Sequence, residues 1–207
     1  MNTSAPRRTQ SQLADFNCQQ VPVAPDPNLP PLEQLDANIR GLVEKLREIM
    51  EFRPICTRRV LANLVTTEAL SDIRHAIQYV GYIFKAGPWR DAVTKFAIDP
   101  RSDPKYREYQ TMFFKIVLRD ETKVWNDGRT KYNRSLQEKG EPSNKESHIF
   151  DGTKVTADGK IWQMCDITDP LLRKILEDPS ALRETCEVSY ASPCIIQAYT
   201  DSLTAKI

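Results

Sequence analysis

From Leu32 onward the chain places apolar residues at helical spacing. Leu35, Ile39, Leu42, Val43, Leu46 and Ile49 fall on one stripe, while Glu44, Lys45, Arg47 and Glu48 lie largely off it. That pattern predicts an amphipathic helix over 32–50. Arg53-Pro54 breaks it, because proline disfavours the helical conformation in the residue before it. Thr57 can then cap a second helix through Val60, Leu61 and Leu64. A third helix fits 68–84, with Ile73, Ile77, Val80 and Phe84 on one stripe and Gly87-Pro88 as its stop. Three helices on short links form a helix-turn-helix core.

Beyond the third helix the period changes. Trp89 to Phe96 reads as a strand with imperfect alternation, and Asp99-Pro100-Arg101-Ser102-Asp103-Pro104 is rich in turn formers. Tyr106 to Leu118 follows as a second, strongly apolar strand. Helix-helix-helix-strand-loop-strand is the order of a winged helix, an α+β fold whose wing would be the loop at 97–106. The predicted domain, 32–118, is preceded by an extended or flexible arm at 1–31. Phe16, Val21 and Val23 could anchor that arm as a strap. A polar loop or insertion covers 119–147. The remainder, 148–207, is read as an α/β segment that buttresses the core, with Asp169 or Thr168 capping a helix that carries Pro170 at its first position.

Composition narrows the chemistry. Formal net charge is only +1 over 207 residues, so any attraction to nucleic acid must come from the placement of charges. Five cysteines without a CxxC, and two distant histidines, give no zinc-finger spacing and suit reduced thiols inside a cell. The chain has no apolar run long enough to span a bilayer. It also has no Walker loop, GxGxxG, HExxH or GxSxG. Asp166 and Asp169 stand beside a helix start, where capping explains them better than metal binding or acid–base work. The expectation is therefore a protein without catalytic, metal or cofactor site, small-molecule substrate or membrane attachment.

Several ordered blocks carry a more specific signal. They are Arg53-Pro54-Ile55-Cys56-Thr57-Arg58-Arg59-Val60-Leu61, Gln78 to Asp91 with its Gly87-Pro88-Trp89, Lys95 to Pro104, Tyr106 to Phe114, Ile149-Phe150-Asp151-Gly152, and Gln163 to Leu172. Together they resemble the DNA-binding domain of the tau95-type subunit of transcription factor IIIC, the RNA polymerase III factor that engages the A-box of tRNA genes. The resemblance covers about 50–177, and more weakly 32–207. Cys56 stands where the family usually has an aromatic, and Tyr190-Ala191-Ser192-Pro193 replaces its usual Gly-Trp step. The family's N-terminal dimerisation region and acidic tail are missing, so the chain reads as an excised domain, with a short stand-alone relative as the alternative. The resemblance implies double-stranded DNA and other transcription factor IIIC subunits as partners, and the nucleus as the location.

Which side chains would touch DNA follows from chemistry. On the third helix, Arg74, His75 and Gln78 are the polar candidates: arginine can read guanine O6/N7 and glutamine adenine N6/N7. An ordinary solvated face is the alternative. Arg58 and Arg59 could clamp phosphate at the second helix start, or pair with Glu51 or Asp72. Lys95, Arg101, Lys105 and Arg107 along the strand-loop-strand unit suit phosphate contact, though Asp91, Asp99, Asp103 and Glu108 interrupt them. Lys85 and Arg90 flank the Gly87-Pro88 break. Trp89, Tyr109 and Phe113 read as core. A protein-docking role with little DNA contact is the rival, favoured if the third helix exposes an apolar patch instead of a basic one.

Overall fold

The computed structural model describes residues 11–65, 70–114, 146–152 and 160–177. The expectations for 119–145, for helices after Ala181 and for Cys186 and Cys194 lie outside them. Helix α1 spans Ala37–Phe52, and the Asp36 carboxylate accepts from the Asn38 amide at 2.8 Å as its N-cap. Strand β2 (Ile55–Thr57) leads directly into α2 (Arg58–Val65), and α3 covers Leu70–Ile77. Leu42, Val43, Leu46 and Met50 of α1 pack with Val60, Leu61, Ile73 and Ile77 of the other helices into the main core. Its driving force is apolar burial, about 1.5–3 kcal/mol per large side chain.

The sheet beside these helices has the order β1-β3-β4-β2, from Leu13–Ala14, Gly81–Phe84, Ala92–Lys95 and Ile55–Thr57. Strands β3 and β4 are antiparallel, so they and residues 85–91 between them are the wing. Two expectations are corrected here. The third helix stops at Ile77, and the wing is not the 97–106 loop. Ile73, Ile77, Val80 and Phe84 keep helical spacing across the boundary, and β3 is buried at all four positions, so no alternation betrays it. Gly81 marks the change: a Cβ there would lie 2.3 Å from the Thr94 carbonyl oxygen. Only glycine lets β3 approach β4 this closely.

The N-terminal arm is a strap. β1 adds in parallel to β3, and Phe16 packs on Phe84 and Trp89 with ring centroids 5.9 and 6.5 Å away. Gly87 has φ +92, and a Cβ on it would strike the Phe16 ring. Phe16 and Val21 are partly buried anchors, whereas Val23 is exposed. The Asp99 carboxylate holds Arg101, whose guanidinium donates to the carbonyls of Phe16 and Cys18 and clasps the strap.

The expected strand from Tyr106 divides into a 3-10 turn at Pro104–Tyr109 and strand β5 (Thr111–Phe114). β5 pairs not with the wing but antiparallel with β6 (Lys160–Gln163), in a second sheet. Met112, Phe150, Trp162, Met164, Ile167 and Leu172 form its core, with Leu172 on α4 (Pro170–Leu176). Asp169 caps α4, accepting from the amides of Leu171 and Leu172 at 3.1 and 3.0 Å. Asp166 does not cap. It takes both Arg53 guanidinium nitrogens at 2.7 and 2.6 Å. Trp89 is core, Tyr109 is half-buried and packed at the edge, and the side chain of Phe113 lies outside the described set.

Candidate nucleic-acid interface

Winged-helix geometry brings three short elements to one face: the start of α2, the outer side of α3 and the end of the wing turn. Thr57 closes β2 and accepts from the Val60 amide at 3.3 Å, setting where α2 begins. In the antiparallel register Thr57 stands opposite Ala92. The residue after Thr57 is therefore beside the residue before Ala92, which places Arg58 next to Asp91. Arg90 lies one position further, its Nε 3.8 Å from the Asp91 carboxylate, with both side chains exposed. Arg74 projects from α3 into solvent. It is close enough to Arg58 that their like charges interact. Partial burial, followed by Arg74, draws the Arg58 pKa below the ordinary arginine value, against the opposing pull of Asp91.

Arg58 and Arg74 thus form a cationic pair, with half-buried His75 next to Arg74 on α3, while Arg90 lies on the far side of Asp91 in the chain. Among the described residues, neither Arg58 nor Arg74 closes an ion pair, and such exposed guanidinium groups suit phosphate and base-edge contact. Asp91 has φ 64, a left-handed conformation that aspartate tolerates better than most residues. It was legible in the sequence only as one acid among those interrupting the wing. The strand register, which gives it its place, was not.

Other sequence candidates have different occupations. Gln78 is not solvent-facing. It is 4% exposed, and its Nε2 donates to the Arg74 carbonyl at 3.2 Å, satisfying the end of α3. Arg59 turns to the second sheet. Its guanidinium carbon lies 5.3 Å from the centre of the Trp162 ring, and Nη1 donates to the Ser147 carbonyl at 3.4 Å. Neither arginine pairs with Glu51, which takes Lys95 at 2.7 Å instead. Lys95 lies four residues along the strand from Asp91, about 13 Å at strand rise. It lines, with Lys105, Glu51, Glu108 and Tyr106, a cleft of about 310 Å³ beside the end of α1.

Lys85 pairs with Asp15 of the strap at 3.1 Å, and Lys105 pairs with Asp103 at 2.9 Å. Arg101 is consumed by the clasp on Asp99 and the strap carbonyls. Arg107 is half-exposed in the 3-10 turn. The structure therefore divides the sequence candidates. It brings Arg58 and Arg74 close together next to His75, and gives Arg59, Gln78, Lys85, Arg90, Lys95, Arg101 and Lys105 intramolecular partners. Among the described residues no group of three or more His, Cys, Asp or Glu is placed to hold a metal ion, and no helix is long and apolar enough to cross a membrane.

Comparison with known proteins gives this face a context. Residues 1–115 match the family model described as Tau95, the RNA polymerase III transcription factor (TF)IIIC subunit HTH domain. The match takes in the N-terminal strap, which lies outside the span of residues resembling the family in sequence. Transcription factor tau subunit sfc1 of Schizosaccharomyces pombe is 31% identical over 148 residues, 72% of this chain and 28% of that protein. The transcription factor tau 95 kDa subunit of Saccharomyces cerevisiae is 42% identical over 71 residues, 34% of this chain and 11% of that protein. General transcription factor 3C polypeptide 5 of Homo sapiens is 29% identical over 77 residues, 37% of this chain and 15% of that protein. A solved structure named Sfc1-DBD superposes with a TM-score of 0.72 at 26% identity, covering 93% of this chain and 85% of that one. The chain spans less than a third of the curated relatives it matches.

Proposed function

The chain belongs to the Tau95 family of RNA polymerase III transcription factor IIIC subunit helix-turn-helix domains, and on that premise we propose that it is a non-catalytic module that binds double-stranded DNA. α3 enters the major groove with Arg74 and His75 toward base edges, while Arg58 and Arg90 hold phosphates on either side. The DNA is the promoter of tRNA genes around the A-box, the setting is the nucleus, and the remaining subunits of transcription factor IIIC are its other partners.

The observation that carries this reading is the pair of exposed, like-charged guanidinium groups on α2 and α3, Arg58 and Arg74. Two like charges held close repel, and an anion bound between them relieves that repulsion. The docking alternative calls for an apolar surface on α3. Among its described side chains, none is an exposed large hydrophobic. Three arginines are a small electrostatic footprint, which suits a module whose promoter affinity is completed by other subunits.

Fluorescence anisotropy with an A-box duplex tests it. Arg58→Ala and Arg74→Ala each weaken binding about fivefold or more, whereas Lys105→Ala, already paired with Asp103, changes it less than twofold. Equal losses at all three positions, or none, overturn this assignment of the face.

A further inference from the structure

We propose that Asp91 is a built-in counter-charge of the wing, competing with the phosphates of double-stranded DNA for Arg58 and Arg90 and thereby limiting the affinity of the module. The inference rests on the DNA-binding reading above. Its geometry stands on three observations. Asp91 has φ 64, which turns the chain sharply at the entry to β4. Its carboxylate is 3.8 Å from Arg90 Nε. The Thr57–Ala92 register seats it beside Arg58 at the start of α2, where its negative charge acts on that guanidinium.

An aspartate in this position has two physical consequences. It partly neutralises Arg58 and Arg90 while DNA is absent, which offsets the repulsion between Arg58 and Arg74. It also stands where a phosphate oxygen would approach, so DNA must displace it or tolerate a like charge close by. The other charged group that acts on Arg58 is Arg74 of α3, and that helix also carries Asp72 in its first turn and His75 in its last. Of the acids, Asp91 alone is within 4.0 Å of one of the three arginines among the described residues. A penalty directed at phosphate falls equally on every sequence. Asp91 therefore lowers affinity without improving discrimination, leaving selectivity to α3.

Asp91→Asn preserves shape and tolerates the left-handed backbone, and Asp91→Gly tolerates it fully. Both are measured in the 207-residue chain by anisotropy on an A-box duplex and a scrambled duplex, with thermal melting to establish folding. Each substitution is expected to tighten binding about three- to fivefold on both duplexes and to steepen the salt dependence by about one unit of log–log slope. Unchanged affinity overturns the inference while leaving the DNA-binding reading intact. Weaker binding also overturns it and makes Asp91 a DNA contact. If neither the unaltered chain nor either variant binds a duplex at low salt, the DNA-binding reading falls and takes the inference with it.

Discussion

Arg53 and Asp166, 113 residues apart in sequence, meet in a two-bond fork at 2.7 and 2.6 Å. The same guanidinium donates to Gln163 Oε1 at 2.8 Å. Gln163, fully buried, also accepts from the Thr57 amide and donates to the carbonyls of Ile55 and Tyr109. One glutamine and one ion pair thus fasten the second sheet to β2, the strand that ends where α2 begins. Burial works against the charge on Arg53, but the Asp166 carboxylate outweighs it, and the pKa stands above that of ordinary arginine.

Removing one partner of this fork leaves a charge stranded in a poorly solvated place. Asp166→Ala is expected to lower stability by about 3 kcal/mol, measured by urea unfolding. Arg53→Met combined with Asp166→Leu is expected to recover more than half of that loss, because no unpaired charge is left. A double variant as unstable as the single one would contradict this.

The strap is part of the folded unit. Phe16→Ala opens a gap over Gly87 and Trp89 and is expected to cost about 2 kcal/mol, less than a fully buried phenylalanine because the ring is only partly covered. Hydrogen exchange at the amides of Ile83 and Lys85, which donate to the carbonyls of Gln12 and Ala14, should accelerate with it.

The clasp at Asp99 has a pH signature. Hydrogen bonds from Arg101 hold the Asp99 pKa below the usual carboxylate value. A depressed folded pKa gives stability that is present above the unfolded value, near 3.9, and is lost as pH falls through the folded one. The stability gap between the unaltered chain and Asp99→Asn should therefore be full at neutral pH and shrink as pH falls below about 4. A gap that is constant through that range would show that the carboxylate charge does not hold the strap.

Much of the fold is legible in the residues, and the two differences have separate causes. α1 declares itself by its stripe and cap, and Pro170 with Asp169 declares α4. The wing was misplaced because β3 is buried on both faces and its residues continue the helical phase of α3, so only Gly81 signals the change. β5 reads in the sequence as the wing's partner because its true partner, β6, stands some fifty positions later, and strand pairing at that distance leaves no local trace. For the candidate site, residue type was informative and placement was not. Arg58 and Arg74 differ in sequence from Arg59 and Arg101 by nothing that marks them as exposed. Trp162 is known as the neighbour of Arg59 only from the folded chain, whereas Asp99 and Asp103 are visible in the sequence as acids beside Arg101 and Lys105.

The central claim is that exposed arginines of the winged helix hold DNA phosphates, and salt titration of binding tests it most directly. Anisotropy of the unaltered chain on an A-box duplex and a scrambled duplex would be followed from about 50 to about 200 mM salt. Two phosphate contacts predict a log–log slope of about −1.8, hence an affinity loss of about 12-fold over that range, with tighter binding to the A-box duplex. No binding to either duplex at the lowest salt, or binding indifferent to salt, would contradict the account.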